Sequence, residues 1–100
     1  MNDNHEKARR RVEEAVLQGP GETSQSLRQA VAGGEAEVPG ELRSLVEKIR
    51  RHAYKITDED IDTLKDQYRE DELFEIIVAA SLGASLVRLE AGLKALEEEA

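Results

Sequence analysis

The chain has 100 residues, which is enough for one domain with one hydrophobic core. Its formal net charge of −8 argues against nucleic acid and membrane surfaces as partners, because both are anionic. The chain contains no cysteine, which excludes disulfides, thiolate nucleophiles and cysteine-rich zinc sites, and its 36% charged residues with two prolines favour an all-α protein.

The first predicted elements form a polar N-terminal segment. An amphipathic helix is predicted over residues 5–17, and a Gly-Pro-Gly turn ends it. Either Thr23 or Ser24 is placed to cap a short second helix, which a pair of glycines ends. Because both helices carry few apolar residues, we interpret residues 1–36 as an N-terminal helical arm that rests on another surface. Residues 37–100 form the predicted helical core.

The core opens with an amphipathic helix that begins at Pro39, a residue suited to the first turn of a helix. Its apolar stripe consists of Leu42, Leu45, Val46, Ile49 and Ala53. We expect this helix to end at His52 or Tyr54.

The clearest helix start in the sequence is at Thr57. Thr57 and Asp60 have the spacing of a capping box, and Ile56 and Ile61 have the spacing of a hydrophobic staple. The predicted helix continues to Tyr68. The acidic residues at its start are explained by the helix dipole, and we predict no metal site and no cofactor.

The last third of the chain, residues 71–96, predicts one long helix that is too apolar to stand alone. Apolar residues recur at spacings of three and four, which is the pattern of a helix that packs along a neighbour. They are Ala79, Leu82, Leu86, Leu89, Leu93 and Leu96. Because so small a chain has little else to cover them, we predict an interface between identical subunits. Its residues are Ala79, Leu82, Gly83, Leu86, Leu89 and Leu93.

The compartment predicted from the sequence is the cytoplasm. The N-terminus is charged and lacks the apolar stretch of a signal peptide. The uncharged run at residues 76–87 is shorter than the roughly 18–20 residues that span a bilayer. We therefore expect no membrane span.

Two residues stand out as candidates for chemistry. His52 lies near a predicted helix end, where the dipole favours an imidazolium whatever its role, so both a capping and a catalytic role are open. Arg88 lies in the most apolar helix. It either faces solvent or pairs with a carboxylate such as Glu75 or Asp60.

Four stretches, residues 52–60, 70–75, 78–84 and 88–96, together resemble the carboxymuconolactone decarboxylase/alkylhydroperoxidase D-like (AhpD-like) family. The resemblance implies an AhpD-like helical bundle that assembles as a dimer, trimer or hexamer through helices like the long one. Redox members of the family carry a Cys-x-x-Cys pair followed by a histidine. The matching positions here fall near His52, Lys55 and Glu59, so the chain is similar to a variant that lacks the pair and thiol peroxidase activity is not expected.

Three functional hypotheses follow. The first is a homo-oligomeric helical subunit without peroxidase activity, its partner being a second copy of itself. The second is a cysteine-independent lyase or isomerase, decarboxylase-like, that acts on a small carboxylated ligand in a pocket between two helices. Its catalytic residues would be His52, Glu59, Asp60 and Arg88, with the arginine holding the carboxylate. The third is an adaptor whose arm folds onto another protein.

Overall fold

The computed structural model describes the backbone of residues 3–33 and 38–99, and the side chains of residues 6–33 and 38–98. Within these ranges the regular elements are all helical, which confirms the predicted all-α class and the long C-terminal helix. They are α1 (Asp3–Glu13), a π-helical turn (Glu14–Gln18), α2 (Gln25–Gly33), α3 (Gly40–Arg51), a 3-10 turn (Ala53–Lys55), α4 (Asp58–Asp62) and α5 (Glu70–Glu99).

Local capping fixes the start of α2. The side-chain oxygen of Ser24 accepts a hydrogen bond from the backbone N–H of Leu27 at 3.1 Å, which is the bond expected of an N-cap residue. Ser24 is therefore the cap. The hydroxyl of Thr23, the other candidate, donates to a different partner, Glu75.

The predicted capping box at Thr57 is present, but α4 is much shorter than the helix predicted to reach Tyr68. The hydroxyl of Thr63 donates to the backbone carbonyls of Glu59 at 2.8 Å and Asp60 at 3.1 Å. The backbone N–H groups of Leu64 and Lys65 then bond to the carbonyls of Ile61 and Asp62, three residues back instead of four. The chain continues as turns over residues 63–67 rather than as an α-helix.

The core lies between the first half of α5, α3 and α2. Ile76, Ala79 and Ala80 of α5 are fully buried, and so are Leu42 of α3 and Val31 of α2. All five belong to one hydrophobic cluster. Because the cluster includes Val31, the surface on which the arm rests is the chain's own core.

The second half of α5 projects beyond this core. No residue between positions 85 and 98 is buried, and Val87, Leu89 and Leu96 are 55%, 46% and 65% exposed. A helix of 30 residues is about 45 Å long, and the longest dimension of the described chain is 50 Å. The helix therefore runs almost the full length of the molecule, and its two halves have different surroundings.

Candidate functional site

A groove lies between α3 and the segment that contains α4. Its volume is about 260 Å³, and it is open to solvent on one side. Its lining consists of Glu41, Ser44, Leu45, Asp60, Thr63, Leu64 and Gln67.

Two groove carboxylates are already paired within the protein. Asp60 accepts hydrogen bonds from the ammonium group of Lys48 at 2.8 and 2.9 Å, and this contact lowers the pKa of Asp60. Glu41 accepts a 2.7 Å bond from the hydroxyl of Tyr68. Burial, together with this bond, raises the pKa of Tyr68 to about 12. Both carboxylates are thus held in the ionised form, and Asp60 is a weak proton acceptor.

The four predicted catalytic residues do not converge on this groove. Asp60 lines it, whereas His52 is exposed at the end of α3 with its ring 6.0 Å from that of Tyr54. Glu59 is exposed on α4. The lyase hypothesis requires His52 and a carboxylate in one enclosed cavity, and this groove does not bring them together.

Arg88 has a structural partner that neither sequence interpretation named. Its guanidinium group donates a 2.7 Å hydrogen bond to the backbone carbonyl of Arg50, close to the C-terminal end of α3. Carbonyls in the last turn of a helix lack intrahelical donors, so a nearby arginine side chain satisfies one of them. Arg88 therefore ties α5 to α3 instead of pairing with Glu75 or Asp60.

A polar clamp at Glu75 attaches the arm to α5. The Glu75 carboxylate accepts bonds from the backbone N–H groups of Glu22 and Thr23 at 2.7 and 2.9 Å, and from the Thr23 hydroxyl at 2.7 Å. These bonds, led by the one from Glu22, lower the pKa of Glu75, and the positive charge of Arg28 contributes. This side chain holds the backbone of the loop before α2, and the guanidinium group of Arg69 donates a further 2.7 Å bond to the carboxylate of Glu22 in the same loop.

Arg28 joins two parts of the arm to each other. Its side chain is 4% exposed and donates to the carbonyls of Val16 at 2.8 Å and Gly19 at 2.6 Å. It thereby satisfies carbonyls at the end of the π-helical turn, where intrahelical donors are missing. Its buried Nε atom has no hydrogen-bond partner among the described residues. Because the guanidinium group of Arg28 is buried and hydrogen-bonded to backbone carbonyls, its role is structural.

Two of the predicted interface residues are covered by other parts of the same chain. Ala79 and Gly83 are both buried, and a Cβ atom at Gly83 would overlap the carbonyl group of Ala32 in α2. The small residues of α5 do permit close approach of another backbone, as expected. The approaching backbone, however, belongs to α2 of the same chain, so these two positions are not open to a second copy.

The four leucines of the predicted interface lie closer to the surface. Three are half-buried: Leu82, Leu86 and Leu93. The last two flank Glu90, which Arg9 of α1 approaches at 3.9 Å, so this side of α5 lies towards α1. Leu89 is the most exposed of the four, and it points away from the core.

The surface of α5 opposite the core was not singled out by the sequence analysis. It runs from Phe74, which is 69% exposed, to Leu96. We call this surface the outer face, and it consists of Phe74, Val78, Ser81, Ser85, Leu89, Gly92 and Leu96. In the sequence this surface is indicated by the 11-residue spacing from Phe74 to Ser85 to Leu96. The leucines that recur every three or four residues make this longer spacing hard to recognise.

By length and composition α5 also meets the criteria for a membrane-spanning helix. Its most apolar 18-residue window, within Glu70–Glu98, has a mean hydropathy of 1.6, and 28% of that window is buried in the protein. The length of the uncharged run at residues 76–87 does not indicate this window, because the window tolerates two charged residues. The criterion is weak for a single helix, because core helices of soluble proteins also meet it.

Within the described residues the fold is that of a small all-helical protein with one long C-terminal helix. The rest of the chain covers only the first half of that helix. Comparisons with protein-family models, with curated proteins and with solved structures find no match for this chain. Membership of the AhpD-like family therefore stays a prediction.

Proposed function

We propose that the protein is an AhpD-like helical subunit without thiol peroxidase activity, which works in the cytoplasm as a homo-oligomer assembled through α5. The observation that supports this proposal is the low coverage of its most apolar helix. Only 28% of an 18-residue window with a mean hydropathy of 1.6 is buried in one protomer. A surface of this kind commonly marks a contact with another molecule.

The free energy of association comes mainly from burial of the exposed aliphatic side chains. Fully burying a Val or Leu side chain contributes about 1.5–3 kcal/mol, so side chains that are about half exposed retain roughly 1 kcal/mol each to gain. Leu89 and Leu96 are in this state on one side of the projecting half of α5, and Val87 is in this state on another side. A second copy supplies the same kind of apolar surface.

A membrane span is the second candidate, because α5 has the required length and composition. Its first half, however, is engaged by the rest of the chain. Gly83 is in contact with Ala32, Glu75 binds the loop before α2, and Arg88 is bonded to the carbonyl of Arg50. Insertion of α5 into a bilayer would break these contacts and leave the carboxylate of Glu75 without its hydrogen-bond donors in an apolar medium. Self-association requires none of these losses.

The proposal is tested by light scattering on the purified protein and on a Leu89→Asp variant. At micromolar concentration we expect the wild type to have at least twice the protomer mass of 11.1 kDa. The Leu89→Asp variant should be monomeric, because a charge on this surface opposes its burial. Ala91→Asp is the matched control, since Ala91 is exposed on another side of the same helix and its substitution leaves the mass unchanged.

A monomeric wild type would contradict the proposal. Cell fractionation separates the membrane candidate, because a membrane-spanning protein sediments with membranes and needs detergent for extraction. We expect the protein in the soluble fraction without detergent.

A further inference from the structure

Two arginine side chains near the C-terminal end of α3 have no acidic partner among the described residues. The Nη1 atom of Arg50 is buried and has no hydrogen-bond partner within the same ranges. Arg88 of α5 donates to the backbone carbonyl of Arg50, and that bond brings no negative charge to either side chain. Because buried polar atoms are nearly always hydrogen-bonded, an unpaired guanidinium group at this place requires an explanation.

The bond from Arg88 brings two positive charges to one turn of α3. The carbonyl that accepts this bond at 2.7 Å belongs to Arg50 itself, so the Arg88 guanidinium lies at the residue from which the Arg50 side chain extends. Like charges that lie close together repel each other, whereas an anion beside them attracts both. The pair is therefore a candidate for binding one small anion.

The sequence around this pair supplies cations and no carboxylate. No residue between positions 48 and 57 is acidic, although the chain has 22 acidic residues. The cationic side chains of this stretch are Lys48, Arg50, Arg51 and Lys55. On α5, the positions three and four residues from Arg88, where an intrahelical ion pair would form, are all uncharged. They are Ala84, Ser85, Ala91 and Gly92.

The nearest acidic residue on α3 already has a partner. Glu47, one turn before Arg50, approaches the side chain of Arg51 at 4.0 Å. The dipole of α3 also favours a cation near its C-terminal end, and the bond from Arg88 to a carbonyl satisfies that preference. The dipole does not explain the Arg50 side chain, whose buried nitrogen donates to no carbonyl among the described residues.

We propose that Arg50 and Arg88 together bind a small oxyanion, which is a phosphate group or a carboxylate. Guanidinium groups bind such oxygens through pairs of charge-assisted N–H bonds. Arg88 is exposed and uses only its Nη2 atom for the carbonyl of Arg50, so its other N–H groups are available. Arg50 is half-buried and its other nitrogens reach solvent, so a change of its side-chain torsions brings Nη1 to the anion. This site does not depend on the proposed self-association.

NMR titration of the ¹⁵N-labelled protein tests the site, with inorganic phosphate and succinate as the two probes. Sodium chloride holds the ionic strength constant at neutral pH, so that screening of the protein's charges does not change during the titration. We expect saturable shifts of the side-chain Nε–H signals of Arg50 and Arg88 with at least one of the probes.

Three variants identify the side chains that bind. Arg50→Gln should weaken binding about tenfold, because it removes charge-assisted hydrogen bonds and leaves the bond from Arg88 to the carbonyl in place. Arg88→Gln, the second variant, should weaken binding to a similar extent. Arg51→Gln is the matched control, since it removes the same charge from the same turn of α3. Arg51 is 73% exposed and is paired with Glu47, so this variant should bind as tightly as the wild type.

The outcomes either assign the anion or overturn the inference. Saturation by phosphate alone assigns a phosphate group, and saturation by succinate alone assigns a carboxylate. The inference is wrong if neither probe shifts the two arginine signals more than chloride does. It is also wrong if Arg51→Gln weakens binding as much as Arg50→Gln, because the attraction would then come from diffuse positive charge. Unchanged binding in Arg50→Gln, with a lower unfolding free energy, would show that Arg50 only stabilises the helix end. A monomeric wild type contradicts the proposed function and leaves this site unaffected.

Discussion

Single charged residues attach the arm to the core. Glu75 is one of few polar residues in the apolar part of α5, and it accepts three hydrogen bonds from residues more than 50 positions earlier in the chain. Arg28 binds two carbonyls within the arm itself. A carboxylate accepts backbone N–H bonds most strongly in its ionised form, so we expect the attachment of the arm through Glu75 to depend on pH.

Glu75→Gln tests this dependence. At pH 7 we expect the variant to lose about 1–3 kcal/mol of unfolding free energy, because a neutral amide accepts these hydrogen bonds less well. The pKa of Glu75 is lowered by folding, so its contribution is complete above the ordinary value of about 4.5 and disappears as the pH falls through the folded value. The stability gap between wild type and variant, measured by urea denaturation from pH 7 to pH 3, should therefore close in acid.

The control for this measurement is Glu98→Gln at the exposed end of α5, which should differ from the wild type by less than about 0.5 kcal/mol. A gap for Glu75→Gln that stays constant down to pH 3 would mean that an ionised Glu75 does not hold the arm.

At the scale of elements, α5 is one continuous helix with two environments. Its first half is packed against α2 and α3, and the last buried residue is Ala84. Two glycines, Gly83 and Gly92, lie in the different halves. Gly83 is where the backbone of α2 crosses at Ala32, while Gly92 is surrounded by open space. Identical substitutions at the two glycines should therefore have opposite effects.

We expect Gly83→Ala to lower the unfolding free energy by about 1–3 kcal/mol, because the added methyl group overlaps the Ala32 carbonyl and separates α2 from α5. Gly92→Ala should be neutral or should stabilise the protomer by up to about 1 kcal/mol, since alanine favours the helix. Thermal denaturation at a concentration low enough to keep the protein dissociated measures both. Equal effects at the two positions would contradict the close crossing at Gly83.

At the scale of the whole molecule, net charge opposes the association that the apolar surface favours. Each copy carries −8, and both ends of α5 are acidic, with Glu70, Asp71 and Glu72 at its start and Glu97 and Glu98 near its end. If two copies associate along α5 as proposed, acidic ends lie next to each other in either relative orientation of the two helices. The two acidic ends then repel each other, and this repulsion is screened by salt.

The dimer should therefore tighten when salt is added. Between about 20 mM and about 300 mM sodium chloride the Debye length falls from roughly 20 Å to about 6 Å, so repulsion between the ends is largely removed. Sedimentation equilibrium across this range should give a lower dissociation constant at high salt. A dissociation constant that rises with salt would indicate that ion pairs, and not apolar contacts, hold the copies together.

The predictions from sequence were accurate where the physics is local. The capping box at Thr57 and Asp60 and the length of α5 each depend on atoms within a few residues of one another, and both are present. The extension of α4 to Tyr68 was wrong, because the backbone N–H groups of Leu64 and Lys65 bond to carbonyls three residues back, as in a turn, instead of four residues back. The predicted catalytic residues could not be placed by spacing alone, since His52 and Asp60 depend on how α3 and α4 dock.

The amino-acid sequence by itself determined the helical class, the absence of thiol chemistry and an excess of apolar surface on the last helix, because composition and periodicity carry these properties. Only the tertiary structure decided which side of that helix is covered. Ala79 is buried in the chain's own core, Gly83 meets the backbone of the arm at Ala32, and the carboxylate of Glu75 binds a loop about 50 residues away. Such contacts join distant segments, and periodicity along one helix cannot indicate which neighbour occupies which side.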